Sequence, residues 1–164
     1  MKFKFTPVRS SIETPLGAMT LAAHQGALVG VWFDGQAHQP DPSNWPTDAK
    51  HPVLQRAATQ LLDYFAGKRS TFDLPLDLTS GTEFQQRVWQ GLLQIPTAST
   101  WSYAGLSAHL GQPTAVRAVA AAIGRNPISI VVPCHRVVGA SGALTGYAGG
   151  LPRKAALLQL ESRV

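Results

Sequence analysis

The only cysteine of the chain, Cys134, lies in IVVPCHRVVGASG, residues 130–142, with His135 and Arg136 after it and Pro133 before it. A cysteine attacks as its thiolate, which forms more readily beside cationic groups, a helix N-terminus or an imidazole able to take the proton. The three residues therefore supply a nucleophile, a base and a fixed positive charge in one short run. The alternative is structural, because a lone cysteine after an apolar run is also a small buried hydrophobe. Adjacent side chains on an extended strand point to opposite faces, so His135 reaches Cys134 only through a bridging water or a sharp bend after Pro133. An imidazole used in this way needs a carboxylate on its far nitrogen to fix the tautomer. Residues 79–164 hold only two carboxylates, Glu83 and Glu161, and Glu161 is the one available. It falls near the end of the last helical pattern, where a negative charge opposes the helix dipole. That placement favours a specific partner over a solvated helix end.

The elements that must position these groups follow from patterning. VRSSIETPLGAMTLAAHQGALVGVWFDG reads as three short strands joined at Pro15-Leu16-Gly17 and Gln25-Gly26, an antiparallel meander. QAHQPDPSNWPTDAKH is a surface loop. From Pro52, apolar residues at positions 54, 57, 58, 61, 62 and 65 mark an amphipathic helix ending at Gly67. FDLPLDL alternates apolar and polar residues, but its proline limits it to an edge strand or an extended connector.

In the second half, Thr82 and Gln85 have capping-box spacing ahead of a helix that ends before Pro96. Ser102 caps YAGLSAHL and Gly111 ends it; TAVRAVAAAI then runs to Gly124. Two short helices with a tight turn form a helix-turn-helix. The second carries five alanines and only Thr114 and Arg117 as polar side chains. Such a surface suits either a buried core helix or one pressed into a DNA groove with one arginine projecting. After the Asn126-Pro127 turn, the six residues from Ile128 suit a buried strand that stops at Pro133. A final helix, LPRKAALLQLE, has Pro152 in its first turn. The composition thus predicts an α+β fold.

Charge is distributed unevenly. Residues 1–78 carry seven basic and seven acidic side chains, whereas residues 79–164 carry seven basic and two acidic, so the whole net charge of +5 lies in the second half. Such a surface attracts a polyanion. The opening MKFKFTPVRS has no signal-peptide core, and no segment approaches the length of a membrane span, which predicts a cytoplasmic protein without membrane contact. One thiol and five scattered histidines lack zinc-type spacing, and there is no glycine-rich phosphate loop, so neither a metal nor another cofactor is expected.

PCHRVVGASG, preceded by RNP and followed by GYAGG, resembles the O6-alkylguanine-DNA alkyltransferase family. The resemblance extends over residues 79–164 through FQQRVWQGLLQIP, SYAGLSAHLG, AVRAVAAAIGRNP and GGLPRKAALLQLE. In residues 1–78 it rests only on the meander-then-helix order and on YFAGK. It implies an N-terminal lobe of antiparallel sheet plus helix, ribonuclease H-like, over residues 1–78. It also implies a C-terminal helical lobe over residues 79–164 with a helix-turn-helix of winged-helix type. The implied activity is direct-reversal repair of double-stranded DNA: an alkylated guanine is flipped out and its alkyl group moves irreversibly to Cys134, without a cofactor. O4-alkylthymine is a second candidate substrate. By the same resemblance, His135 is the base acting through a water, Glu161 orients it, and Asn126 joins the backbone turn beside the cysteine. Arg117 fills the gap left by the flipped base and Tyr103 helps rotate the nucleotide. Tyr147 lies against the guanine, with backbone donors around Val137 and Ala148. Many relatives have a serine at the position of Ala148 that can donate to the lesion oxygen; here a methyl group stands there. The implied DNA contact is through the minor groove, by a protein monomeric in solution with possible neighbour contacts on DNA. Two rival readings are a non-catalytic lesion binder of the same architecture, which would lack the cysteine, and a cysteine hydrolase.

Overall fold

A computed structural model describes residues 2–163. Strands β1 (Val8–Thr14), β2 (Gly17–His24) and β3 (Ala27–Phe33) form the antiparallel meander in that order, with Ile12 opposite Met19 and Leu21 opposite Val31. One face of the sheet packs Met19, Leu21, Val31 and Phe33 against helix α1 (Pro52–Phe65), whose Leu54, Ala57, Leu61 and Tyr64 recur every three or four residues. The other face carries Ala22, Val29 and Trp32 under Phe3, Phe5 and Trp45. Gly30 is required there, because a Cβ would lie 1.9 Å from the Trp32 ring.

Helix α2 (Glu83–Leu92) has the expected capping box, with Thr82 and Gln85 each accepting from the other's backbone N–H. Strand β4 (Trp101–Ser102) leads into α3 (Tyr103–His109), where the Ser102 hydroxyl accepts from Gly105 N. Helix α4 (Val116–Gly124) follows, then β5 (Val137–Val138), parallel to β4, and α5 (Leu151–Glu161). The core is continuous between the halves: Met19, Leu21 and Phe33 join one cluster with Val88, Trp89, Leu106 and Val119.

One open choice is settled and one expectation is corrected. FDLPLDL is a connector: only the Leu28–Leu76 bridge pairs it, through Leu28 N to Pro75 O and Asp77 N to Leu28 O. The six residues from Ile128 are not a strand. Ile128 and Ser129 touch β3 through Val31, and the chain then turns back on itself at Ile130, whose φ of 71° lies in the left-handed region. Val131 N donates to Ser129 O across this γ-turn, a strained conformation for a β-branched residue. The run is apolar because it is buried, which patterning cannot separate from being extended.

Candidate active site

Asn126 secures the turn that presents Cys134. Its side-chain amide donates to Val132 O at 2.8 Å, its carbonyl accepts from Ile128 N at 3.0 Å, and Cys134 N donates to Val132 O at 2.8 Å. The backbone then tightens into a single 3-10 turn, Cys134–Arg136. This bend removes the alternation of side chains that an extended strand would impose on Cys134 and His135.

His135 is wholly buried, and its Nε2 lies 2.6 Å from Glu161 Oε1. Arg136 does not act as a cation beside the thiol. Its Nε and Nη2 donate to the two Glu161 oxygens, both at 2.9 Å, and its Nη1 donates to Ile95 O at 2.7 Å. Burial alone would raise the Glu161 carboxyl, but the hydrogen bonds from His135 and Arg136, with their charges, hold it down at about 2. Burial also lowers His135 below its ordinary value, more than Glu161 raises it. The imidazole is therefore neutral near pH 7, with its proton on Nε2 toward the carboxylate. Its Nδ1 is buried and has no partner among the described residues. The Cys134 thiol is pushed up by burial, with the Asn126 side chain and the Lys154 charge pulling the other way. The resting nucleophile is thus a thiol that needs a base, rather than the preformed thiolate its cationic neighbours suggest in sequence.

Cys134 lines a cavity of about 490 Å³, together with Tyr147, Ala148, Tyr103 and the α4 residues Ala120 and Ile123. The Tyr147 hydroxyl is buried and unpartnered among the described residues. The Tyr103 hydroxyl donates to Thr145 O at 2.9 Å. Val137 is buried in β5 opposite Trp101, outside the cavity lining. Arg117 stands exposed on α4 with Ala118 and Ala121, while Val119, Ala122 and Ile123 face inward. The alanine-rich helix is thus buried on one side only, with small residues and one arginine outward.

The structure adds residues that spacing did not single out. Lys154 is fully buried and donates to Thr145 O and Gly146 O. From the first half, Ala37 N donates to Ala148 O at 3.0 Å, and Ala37 and His38 line the cavity mouth. Arg153 stacks on Phe33 at 4.5 Å and donates to Leu16 O and Gly149 O, tying the meander to the pocket wall. Tyr64 of α1 donates to Glu161 Oε1 at 2.8 Å. Arg153 and Lys154 fall in GGLPRKAALLQLE and Tyr64 in YFAGK, both stretches of the family resemblance, but no spacing pointed to these roles, and Ala37 and His38 fall in neither. Among the described residues, no cluster of His, Cys, Asp or Glu could hold a metal ion, and no helix is long and apolar enough to cross a membrane.

Comparison with known proteins agrees over most of the chain. Residues 83–163 match the 6-O-methylguanine DNA methyltransferase DNA binding domain, and residues 8–78 match the ribonuclease-like domain of the same family. The chain is 49% identical over 151 residues to a Methylated-DNA--protein-cysteine methyltransferase of Mycobacterium tuberculosis, covering 92% of this chain and 90% of the relative. It is 43% identical to the constitutive Methylated-DNA--protein-cysteine methyltransferase of Bacillus subtilis, covering 93% of each. A crystal structure of Mycobacterium tuberculosis OGT in complex with DNA superposes with a TM-score of 0.87 at 47% identity, over 95% of this chain and 93% of that one. The α+β architecture, the site built around Cys134 and these matches agree, and the chain belongs to the 6-O-methylguanine DNA methyltransferase family.

Proposed function

We propose that this protein repairs O6-alkylguanine in double-stranded DNA by moving the alkyl group to Cys134, once per molecule. The observation that carries this reading is the buried Cys134, His135 and Glu161 set: a neutral imidazole, its Nε2–H fixed on Glu161, leaves Nδ1 as base for the only thiol, beneath a cavity. A water between Sγ and Nδ1 passes the proton. Sγ then attacks the alkyl carbon, the S–C bond forms as the C–O6 bond breaks, and the guanine departs with the electron pair. The unpartnered Tyr147 hydroxyl is placed to donate to the guanine as negative charge develops there. The thioether is stable and no second thiol exists to remove it, so the reaction ends there.

Access to the site follows from the second half of the chain. In this reading residues 79–164 form the DNA-binding and catalytic domain and residues 1–78 a supporting one. The outward face of α4 enters the minor groove, where small side chains allow close approach to the backbone. Arg117 occupies the space vacated by the flipped base, and Tyr103 assists rotation. Asn126 holds the cysteine turn, and the backbone near Val137 and Ala148 completes the guanine site. We read the protein as a monomer in solution, cytoplasmic and DNA-associated.

The test is intact mass followed by peptide mapping after incubation with duplex DNA carrying one O6-methylguanine. One methyl equivalent on Cys134, stoichiometric and without turnover, is the expected result. An unmodified cysteine in a protein that still binds the lesion would replace this reading with that of a recognition protein.

A further inference from the structure

Helix α1 belongs to the half of the chain with no net charge and no share in the cysteine motif, yet it reaches the relay. The Tyr64 hydroxyl donates to Glu161 Oε1 at 2.8 Å, the oxygen that also accepts from His135 Nε2 at 2.6 Å and from Arg136 Nη2 at 2.9 Å. Tyr64 is 2% exposed, with Phe65 and Phe72 ring centroids 5.5 Å away. Burial, and then the charge of Glu161, push its phenol well above the ordinary value, so it remains a donor throughout the range in which the protein works.

We infer that Tyr64 is a positioning residue: by sharing Glu161 Oε1 with His135, it lets the carboxylate hold the imidazole proton on Nε2 without making the ring strongly basic. The inference rests on the alkyl-transfer reading. An oxygen that accepts from several donors has less electron density for each, so it orients the imidazole while drawing less positive charge onto it. Removing one donor strengthens the Glu161–His135 bond and makes His135 easier to protonate. Protonation on Nδ1 occupies the lone pair that must receive the thiol proton.

Geometry separates this role from packing. Arg136 grips both Glu161 oxygens, so the carboxylate keeps its place without Tyr64. Tyr64→Phe keeps the ring and deletes only the donor. The charged or titratable groups around His135 are Glu161 and Lys154 of α5, together with Arg136 and Cys134 of its own turn, and all remain. Tyr64 itself enters from α1, through Glu161.

The experiment uses the full chain labelled with 15N-histidine, as wild type, Tyr64→Phe, and a form carrying 3-fluorotyrosine at position 64. Fluorination makes the phenol a stronger donor at nearly unchanged volume. Two quantities are read: the His135 Nε2–H proton resonance near neutral pH, and single-turnover methyl transfer from an O6-methylguanine duplex across pH. In Tyr64→Phe the resonance should move downfield and the acid limb of the transfer rate upward by about half a pH unit, roughly a threefold loss at a fixed pH on that limb. The fluorinated protein should move both in the opposite direction, and it carries the test alone if Tyr64→Phe does not fold. An unmoved resonance overturns the inference, even if wild type transfers methyl groups normally. A resonance that shifts as expected in a protein that transfers nothing leaves the tuning in place and overturns the repair reading instead.

Discussion

The Lys154 ammonium lies between two loop carbonyls, donating to Thr145 O at 3.0 Å and Gly146 O at 3.1 Å, while its own side chain is entirely buried. Burial lowers its pKa below the ordinary lysine value. A buried charge satisfied mainly by backbone oxygens fixes the segment that carries them, here the stretch leading into Tyr147. Lys154→Met keeps the aliphatic volume, strands Gly146 O and leaves Thr145 O to the Tyr103 hydroxyl alone. We expect a loss of about 1–3 kcal/mol in chemical unfolding and slower transfer, measured in the same preparation by denaturant titration and single-turnover kinetics.

Glu161→Gln replaces the carboxylate that orients His135 with a neutral amide that keeps a single acceptor oxygen, and leaves Arg136 buried without its counter-charge. Transfer should slow by about a hundredfold, the lower end of the range for a general base, with duplex affinity unchanged in a fluorescence anisotropy titration. Undiminished single-turnover rates would remove Glu161 from the site.

The same pair gives the protein an acid limit. Glu161 has a folded-state pKa near 2, below its ordinary 4.5, and that of His135 is lowered from 6.5. In both cases the unfolded chain binds the proton more readily, so the stabilisation is present above the ordinary value and is lost as pH falls. Thermal unfolding should therefore show stability declining below about pH 6.5 as His135 contributes, and further from about 4.5 toward 2 as Glu161 does. In Glu161→Gln the second decline should be shallower.

Arg117 projects from the exposed face of α4. Arg117→Ala should slow repair of duplex substrate by about tenfold, an estimate for losing one stabiliser of an extrahelical base, and leave reaction with free O6-alkylguanine base unchanged. Equal losses on both substrates would refute its role in holding the gap.

Gly149 has space for no side chain, since a Cβ would lie 2.7 Å from Tyr147 Cε2 and 3.1 Å from Phe33 Cδ2. Gly149→Ala must displace the Tyr147 ring. Unlike Arg117→Ala, it should slow transfer from duplex and from free base alike, as measured by methyl incorporation into Cys134.

Much of this arrangement was legible in sequence because it is local. The Thr82–Gln85 box, the Ser102 cap and the alanine-rich helix each depend on contacts within a few residues. Cys134 and His135 are adjacent, and Glu161 could be chosen because its half of the chain offers so few carboxylates. What escaped depends on chain reversal or on distance. The Ile130 turn is hidden because an apolar run looks the same whether extended or folded back. Arg136 serves Glu161 rather than the thiol, a pairing settled only when α5 docks. Tyr64 stands 97 residues from the oxygen it shares, and in sequence it is one more aromatic on an amphipathic helix.

The bond from Ala37 N to Ala148 O has a consequence for which adducts the protein admits. The mouth of the pocket is a frame with one jamb from each half of the molecule, and the first-half jamb is the loop after β3, whose Gln36 accepts from Ser129 Oγ at 3.3 Å. Changes in that loop beyond Gln36 are expected to resize the doorway. Tolerance for bulkier adducts is therefore set in part by the half of the molecule that holds no cysteine.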